Sequence, residues 1–310
     1  MADEKLTALA ALANPTSDDL IYVVDDAGGT PASKKATLGS GLMSYGVCQG
    51  RLTLTSNTPV TTSDVTAATG VYYTPYVGNQ IGLYSASGTW SVLTFTETSL
   101  SLNGYTASKP YDIFAYDNAG TLALESLIWT DGTTRATALA YQNGILVKSG
   151  DATRRYIGTI YINSTGGQTE DTVVKRFVWN YYCRVSRQLF KYDDTSHTYN
   201  VSTARRFNND SSMQLDYVIG VAEDAYRMSI VGYFITSNAG YASIMAFVVD
   251  GVGTPIQQSI ATLITAYGRW GMSVSMFSAI GYHYNTLCEY GSASATHTFA
   301  LMSGSMILKG

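Results

Sequence analysis

The run 110-PYDIFAYDNAGTLALESLIWTDGTTRATALAYQNGILVKSGDATRRYIGTIYI-162 decides the fold. It reads as successive β-strands cut by turn chemistry. Leu122, Leu124, Ser126 and Ile128 share one face of a strand, and Ala123, Glu125, Leu127 and Trp129 share the other. Asp117-Asn118-Ala119-Gly120 precedes this strand and Asp131-Gly132 follows it. Asn143-Gly144 joins residues 136–141 to residues 145–148, and Asn-Gly supplies the positive φ of a two-residue type I′ hairpin. After Ser149-Gly150-Asp151, Tyr156, Gly158, Ile160 and Ile162 alternate with Ile157, Thr159 and Tyr161. A period of two over four segments is incompatible with a helix face, so an antiparallel meander is expected over 109–168.

Composition agrees with an all-β chain. Tyr outnumbers Phe 24 to 9 and charged residues are only 14%, so the strands carry amphipathic rather than ionic surface. Tyrosine-rich, charge-poor strands suit faces covered by neighbouring subunits. A net charge of −4 without a basic patch argues against nucleic-acid binding. Arg154-Arg155 and Arg205-Arg206 read as solvated strand ends. No apolar run is long enough for a transmembrane helix, and the acidic start Met1-Ala2-Asp3-Glu4 lacks the basic region of a signal peptide. Cys48, Cys183 and Cys288 have no metal-ligand spacing and are expected as reduced structural thiols.

The amino-terminal residues 1–44 carry little apolar content for a core of their own. KLTALAALA, residues 5–13, is too short for a stable isolated helix and is stopped by Asn14-Pro15. An apolar β-like run, 20–24, then ends at Asp25-Asp26, and Gly28-Gly29 turns the chain towards Lys34-Lys35-Ala36-Thr37-Leu38. The order KLTAL, SDDLIYVVDD, a glycine turn and SKKATL resembles the leader of tailed-bacteriophage structural proteins such as fibres and spikes. The resemblance implies an extended virion-attachment arm in which Leu6, Leu9, Leu20, Ile21, Val23, Lys34, Lys35 and Leu38 form the anchor. The competing reading is a small hairpin packed on the chain's own first domain.

A small β-module is expected over 45–108. RLTLTS alternates at 51–56, 70–76 is aromatic and strand-like, and 81–85 and 90–96 flank the turn Ala86-Ser87-Gly88-Thr89. GRLTLTSNTPVTTSDVTAATGVYYTPYVGNQIGLY, YDIFAYDNAGTLALE and TRATALAYQNGILVKSGDATRRYIGTIYI resemble phage virion proteins, fibres among them, over residues 50–180. That likeness implies no enzymatic activity.

Residues 170–182 are expected as a helix: Thr169, Glu170 and Asp171 suit its start, and Val174, Phe177, Tyr181 and Val185 follow at helical spacing. Trp179-Asn180-Tyr181-Tyr182 is expected to pack between modules. About eight strands punctuated by Gly251, Gly253-Thr254-Pro255, Gly268 and Gly291 predict a jelly-roll-like β-sandwich over 169–310. In it 188–192 and 198–207 flank a polar hairpin tip, and 272–290 is bent or interrupted.

Enzyme motifs are missing. His197, His283 and His297 are isolated, and no nucleophile elbow or phosphate loop is present. Asp112, Asp117, Glu125, Asp131, Glu223, Asp224 and Asp250 are the carboxylates a glycan-cleaving pair would need, and turn formation is the simpler role for them. Loop tips are the better candidates. Tyr192, Asp193, Asp194, His197, Tyr199, Asn208, Asn209 and Asp210 place aromatic faces beside carboxylates and amides, a mixture suited to sugar rings. Trp270, Tyr282, His283 and Tyr284 form a second candidate cluster; inter-subunit packing is the alternative for both.

The expectation is therefore a non-enzymatic virion structural protein, assembled in the host cytoplasm. It uses no cofactor and no metal, binds no nucleic acid and enters no membrane. Its expected partners are two further copies in a homotrimer, phage capsid or tail proteins through the arm, and host cell-surface polysaccharide at the distal sandwich. The alternatives are a capsid decoration or tail connector protein without a receptor and, more remotely, a polysaccharide depolymerase, for which a fixed repeat period is lacking.

Overall fold

The computed structural model describes residues 20–25, 29–30, 32–37, 45–238, 240–253, 257–261 and 268–310. Leu6, Leu9 and Leu38 of the expected anchor lie outside these residues. Leu20–Asp25 and Ala32–Thr37 form an antiparallel pair in which Val23 faces Lys34, Tyr22 faces Lys35, and Leu20 and Ile21 face Thr37 and Ala36. Among the described residues these two strands pair only with each other.

The described body is all-β and consists of stacked layers. Its middle layer is the sheet expected from residues 110–162. Leu139–Gln142, Ile145–Lys148 and Asp151–Tyr161 run as a meander, and the hairpin Pro110–Asn118/Thr121–Ile128 docks on Asp151–Tyr161 through its first strand. Asn143 at φ 51° and Gly144 at φ 82° make the expected left-handed turn. Val178–Asn180 also pairs with Asp151–Tyr161.

Both faces of this sheet are covered, which explains the near-continuous burial from Arg155 to Ile162. Ile113, Ala115, Leu122, Leu124, Ile157, Ile160 and Ile162 face one core. That core is completed by Leu52, Val71, Tyr73, Ile81 and Leu83 of the sheets Gly50–Thr53/Gly70–Pro75/Thr98–Ser101 and Gln80–Tyr84/Trp90–Thr94, and by Phe95 just beyond the last strand. Phe114, Leu146, Tyr156, Tyr161 and Trp179 face the other core, which they share with the sandwich. The segments 45–108 and 109–168 therefore meet in a single apolar interior, and Val65–Ala68 crosses over to pair with Thr169–Asp171 in the sandwich.

No helix forms at 170–182. Thr169–Asp171, Lys175–Arg176 and Val178–Asn180 are short strands separated by a turn in which Thr172 and Lys175 exchange backbone hydrogen bonds. The period of two wins because the segment lies between two cores. Phe177 and Trp179 enter the sandwich core while Val178 packs against the other. Glu170 and Asp171 engage Lys175, Arg176 and Arg187 instead of a helix end. Asn180 joins the layers as expected, accepting from Leu52 N at 2.6 Å and donating to Leu52 O at 3.2 Å.

The sandwich pairs a larger sheet with a smaller one. The larger runs Gln257–Ala261, Ser243–Val249, Gly281–Tyr290, Gln214–Ile219, Lys175–Arg176, Thr169–Asp171, Val65–Ala68, with Arg205–Arg206 beside Gly281–Tyr290. The smaller runs Ser186–Asp193, His297–Lys309, Ala225–Thr236, Gly268–Phe277, with His197–Thr198 beside His297–Lys309. The chain breaks between Phe277 and Gly281 to change sheets, the interruption expected within 272–290. Gly232 and Gly304 of the smaller sheet face Met245 and Leu287 of the larger; a Cβ at either glycine would overlap those side chains, so the sheets interdigitate there.

The expected hairpin between 188–192 and 198–207 does not form. Asp193 Oδ1 accepts from Thr195 N at 2.8 Å, a side-chain-closed kink that lets His197–Thr198 resume along the same neighbour, His297–Lys309. Arg205–Arg206 then joins the opposite sheet. Cys48, Cys183 and Cys288 are free thiols; burial pushes Cys48 up to about 11 and Cys288 up to about 12, so both stay protonated. No described helix is long and apolar enough to cross a membrane.

Arg155 closes the first core. Its Nη1 donates to the carbonyls of Tyr45 (3.0 Å), Val47 (2.9 Å) and Gly82 (2.6 Å), its Nη2 donates to Gly46 O (2.9 Å), and the guanidinium lies 4.5 Å from the Tyr182 ring centre. Replacing it with methionine keeps the bulk and strands several buried acceptors. Arg155→Met is expected to lower unfolding free energy by roughly 3 kcal/mol or more in a denaturant titration. A loss below about 1 kcal/mol is incompatible with this role.

Candidate functional site

The kink at Asp193 and the turn Phe207–Asn209 bring most of the first tip cluster to one end of the sandwich, around an acid that sequence reading did not single out. Glu289 is fully buried, on strand Gly281–Tyr290. Arg205 pairs with its Oε1 at 2.8 Å, His197 Nε2 with its Oε2 at 2.6 Å, and Asn208 N donates to Oε1 at 3.2 Å. An unpaired carboxylate there would be prohibitively costly, so these partners are obligatory. Asn208 Nδ2 also donates to Asp193 Oδ2 at 3.0 Å, and Asn208 and Asn209 both hold φ 54°. Tyr199 donates to Thr203 O at 2.8 Å while the Arg205 guanidinium sits 3.8 Å from its ring centre.

Neither arginine pair read as solvated strand ends is solvated: Arg205-Arg206 is half-buried, with Arg205 neutralising Glu289, and Arg155 is buried beside Arg154, which pairs with Glu125. The signal available in the sequence was an acid inside the apolar strand ending TLCEY; its partners lie some 80 to 90 residues away and cannot be matched by inspection.

Asp193, His197, Tyr199 and Asn208 are brought together by this network, and their polar atoms are largely occupied by partners within the fold: Thr195, Glu289, Thr203 and, between Asn208 and Asp193, each other. Asp194 and Asn209 are exposed at the rim. Asp210 turns the chain, accepting from Ser212 N at 2.7 Å. Tyr192 projects from the outer face of the smaller sheet, 5.9 Å from Phe190.

The second cluster does not assemble. Trp270 lies on Gly268–Phe277 in the smaller sheet, whereas Tyr282, His283 and Tyr284 lie on Gly281–Tyr290 in the larger. Tyr282 stacks on Tyr161 at 4.2 Å and donates to Asp216, which makes it part of the joint between the sandwich and the middle sheet. Tyr284 flanks it at 6.1 Å.

The histidines are all engaged. Both nitrogens of His197 face acceptors, Thr195 O at 2.9 Å and Glu289. Burial opposes the charge, but the Glu289 hydrogen bond and the Thr195 carbonyl outweigh it and hold the pKa above the ordinary value. His283 is raised in the same way: burial opposes the charge, and Asp250 at 2.7 Å and backbone carbonyls outweigh it. His297 accepts from Ser292 N at 2.9 Å, and burial keeps it low, as the neutral ring requires.

Every carboxylate considered for glycan cleavage has a partner in the fold. Asp112 pairs with Arg135, Glu125 with Lys148 and Arg154, Glu223 and Asp224 with Arg184, and Asp250 with His283. Asp117 and Asp131 close turns through backbone N–H groups.

No protein-family model matches the chain, and no curated protein matches it. Solved structures with a partial likeness include Bacillus endospore appendages, a family of disulfide-linked pili, at 17% identity over 40% of this chain and 88% of that one, TM-score 0.24. The infectious bursal disease virus VP2 subviral particle matches at 10% identity over 74% of this chain and 65% of that one, TM-score 0.29. The insecticidal delta-endotoxin Cry8Ea1 from Bacillus thuringiensis matches at 7% identity over 84% and 52%, TM-score 0.24. Likeness at this level transfers neither family nor activity.

Because the folded pKa of His197 exceeds its ordinary value of about 6.5, its contribution to stability is complete below that pH and lost as pH rises through the folded value. The stability difference between wild type and His197→Gln is expected to shrink as pH rises above about 6.5. Chemical denaturation at a series of pH values checks this; a difference independent of pH contradicts the charged pair.

Proposed function

We propose that this chain is a non-enzymatic structural protein of a tailed-phage virion, a fibre or spike, fixed by its amino-terminal arm and presenting the sandwich towards host-surface polysaccharide. The observation that carries the reading is the arm itself. Among the described residues its two strands pair only with each other, and the body is sealed independently by Arg155 on the carbonyls of Tyr45, Gly46 and Val47. A segment organised in this way suits docking on another protein.

Two further features support the reading. The outer face of the smaller sheet exposes Phe190, Tyr192, Phe277 and Ile307 among serines such as Ser273, with few charges. That surface suits contact between copies in a homotrimer. The carboxylates are committed to ion pairs and turns, which suits a protein that binds rather than cleaves.

Deleting residues 1–42 is expected to leave a folded, oligomeric body that no longer enters phage particles. Normal incorporation of the truncated chain would refute the anchoring role. Incubation of the full chain with host-surface polysaccharide is expected to release no new reducing ends; their appearance would make the protein a depolymerase instead.

A further inference from the structure

Beside the Glu289 network lies a recess of about 220 Å³ lined by Ala204, Arg205, Arg206, Asn209, Ser211 and Val252. We infer that it binds an anionic group, a carboxylate or a phosphate, carried on a sugar polymer. The inference rests on the proposed polysaccharide-facing role of the sandwich and narrows it to a ligand class.

The two adjacent arginines are in opposite states. Arg205 is spent on Glu289 and on the face of Tyr199. Arg206 donates from Nη2 to Gln214 Oε1 at 2.8 Å, but its Nε is buried without an acceptor, and among the described residues no carboxylate forms an ion pair with it. A buried donor without an acceptor is uncommon and unfavourable, and an incoming anion relieves the surrounding positive charge. The guanidinium matches planar carboxylate and phosphate oxygens better than any other side chain.

The remaining lining repeats this preference. Asn209 contributes an amide and Ser211 a hydroxyl from exposed positions on the rim, and among the described residues no acid lines the recess. Arg205 already covers one face of the Tyr199 ring at 3.8 Å, and no aromatic side chain is among the described residues lining the recess. Recognition here is therefore by charge and hydrogen bonding, and not by the aromatic stacking expected of the tip residues. The recess is below the usual range of about 300–1,000 Å³ for drug-sized ligands, a size suited to one charged sugar unit of a longer chain.

The test uses the full chain and three polymers: an oligoglucuronate, a phosphodiester-linked sugar polymer and neutral dextran. Calorimetric titration at low salt is expected to show binding of at least one anionic polymer, weakening as salt rises, and none of dextran. Arg206→Gln is expected to weaken that binding about tenfold. Which anionic polymer binds tells a carboxylate site from a phosphate site. Should Arg206→Gln not fold, Asn209→Gly, which tolerates the positive φ, and Ser211→Ala decide the question by the same loss of affinity. The inference is overturned if neither anionic polymer binds, if dextran binds equally well, or if the variants bind like wild type. Particle incorporation is scored in parallel. Normal incorporation without polymer binding overturns the site alone; polymer binding by a chain that never enters particles supports the site and overturns the virion reading.

Discussion

One buried cation organises the first half of the body. The charge of Arg155 is met by main-chain carbonyls and the Tyr182 ring, and among the described residues it has no carboxylate partner. Carbonyls of three successive residues, Tyr45, Gly46 and Val47, can converge on it only while that segment lies across the middle sheet. The guanidinium thus fixes the path of the chain as well as satisfying it. Arg51 acts similarly nearby, donating to Pro59 O at 3.1 Å and Gly310 O at 2.9 Å, so distant parts of the chain are tied through backbone oxygens. Main-chain acceptors suit this task because they carry no side-chain entropy to be lost.

At the far end the sandwich uses the opposite device. A buried carboxylate, Glu289, gathers His197 from one segment and Arg205 with the backbone of Asn208 from another. Ion pairs of this kind add little net stability over well-packed apolar groups, but each partner becomes indispensable once the acid is buried. The tip is therefore an ordered polar structure, with the donors of Asn209 and Ser211 left on its rim.

The legibility of the fold depended on how local each determinant was. Asn143-Gly144 dictates its own turn, and the alternation along 110–162 follows from one sheet between two cores, so both could be read from neighbouring residues. Residues 170–182 misled because helical and β periodicities coexist there. Only the presence of an apolar interior on each side, for Val178 and for Phe177 with Trp179, selects the strand. The tip at 193–197 resembled a hairpin because polar residues signal a turn without saying which neighbour the chain will meet next. Among candidate site residues, Asp193, His197, Tyr199 and Asn208 were recognisable as tip chemistry. Glu289 and Arg205 were not, since their meaning comes from contacts across the sandwich. Trp270 and Tyr282 looked alike in composition and were separated by the change of sheet between Phe277 and Gly281.

The position of the Arg155 clasp has a mechanical corollary. Tension applied to the chain ahead of Tyr45 reaches the body at the carbonyls that this guanidinium grips. From there it passes into Asp151–Tyr161, a strand flanked on both sides within its sheet. Force entering an interior strand must shear several rows of hydrogen bonds together, whereas force on an edge strand peels them one at a time. The junction at Tyr45, Gly46 and Val47 is thus placed to resist pulling on the chain that precedes it.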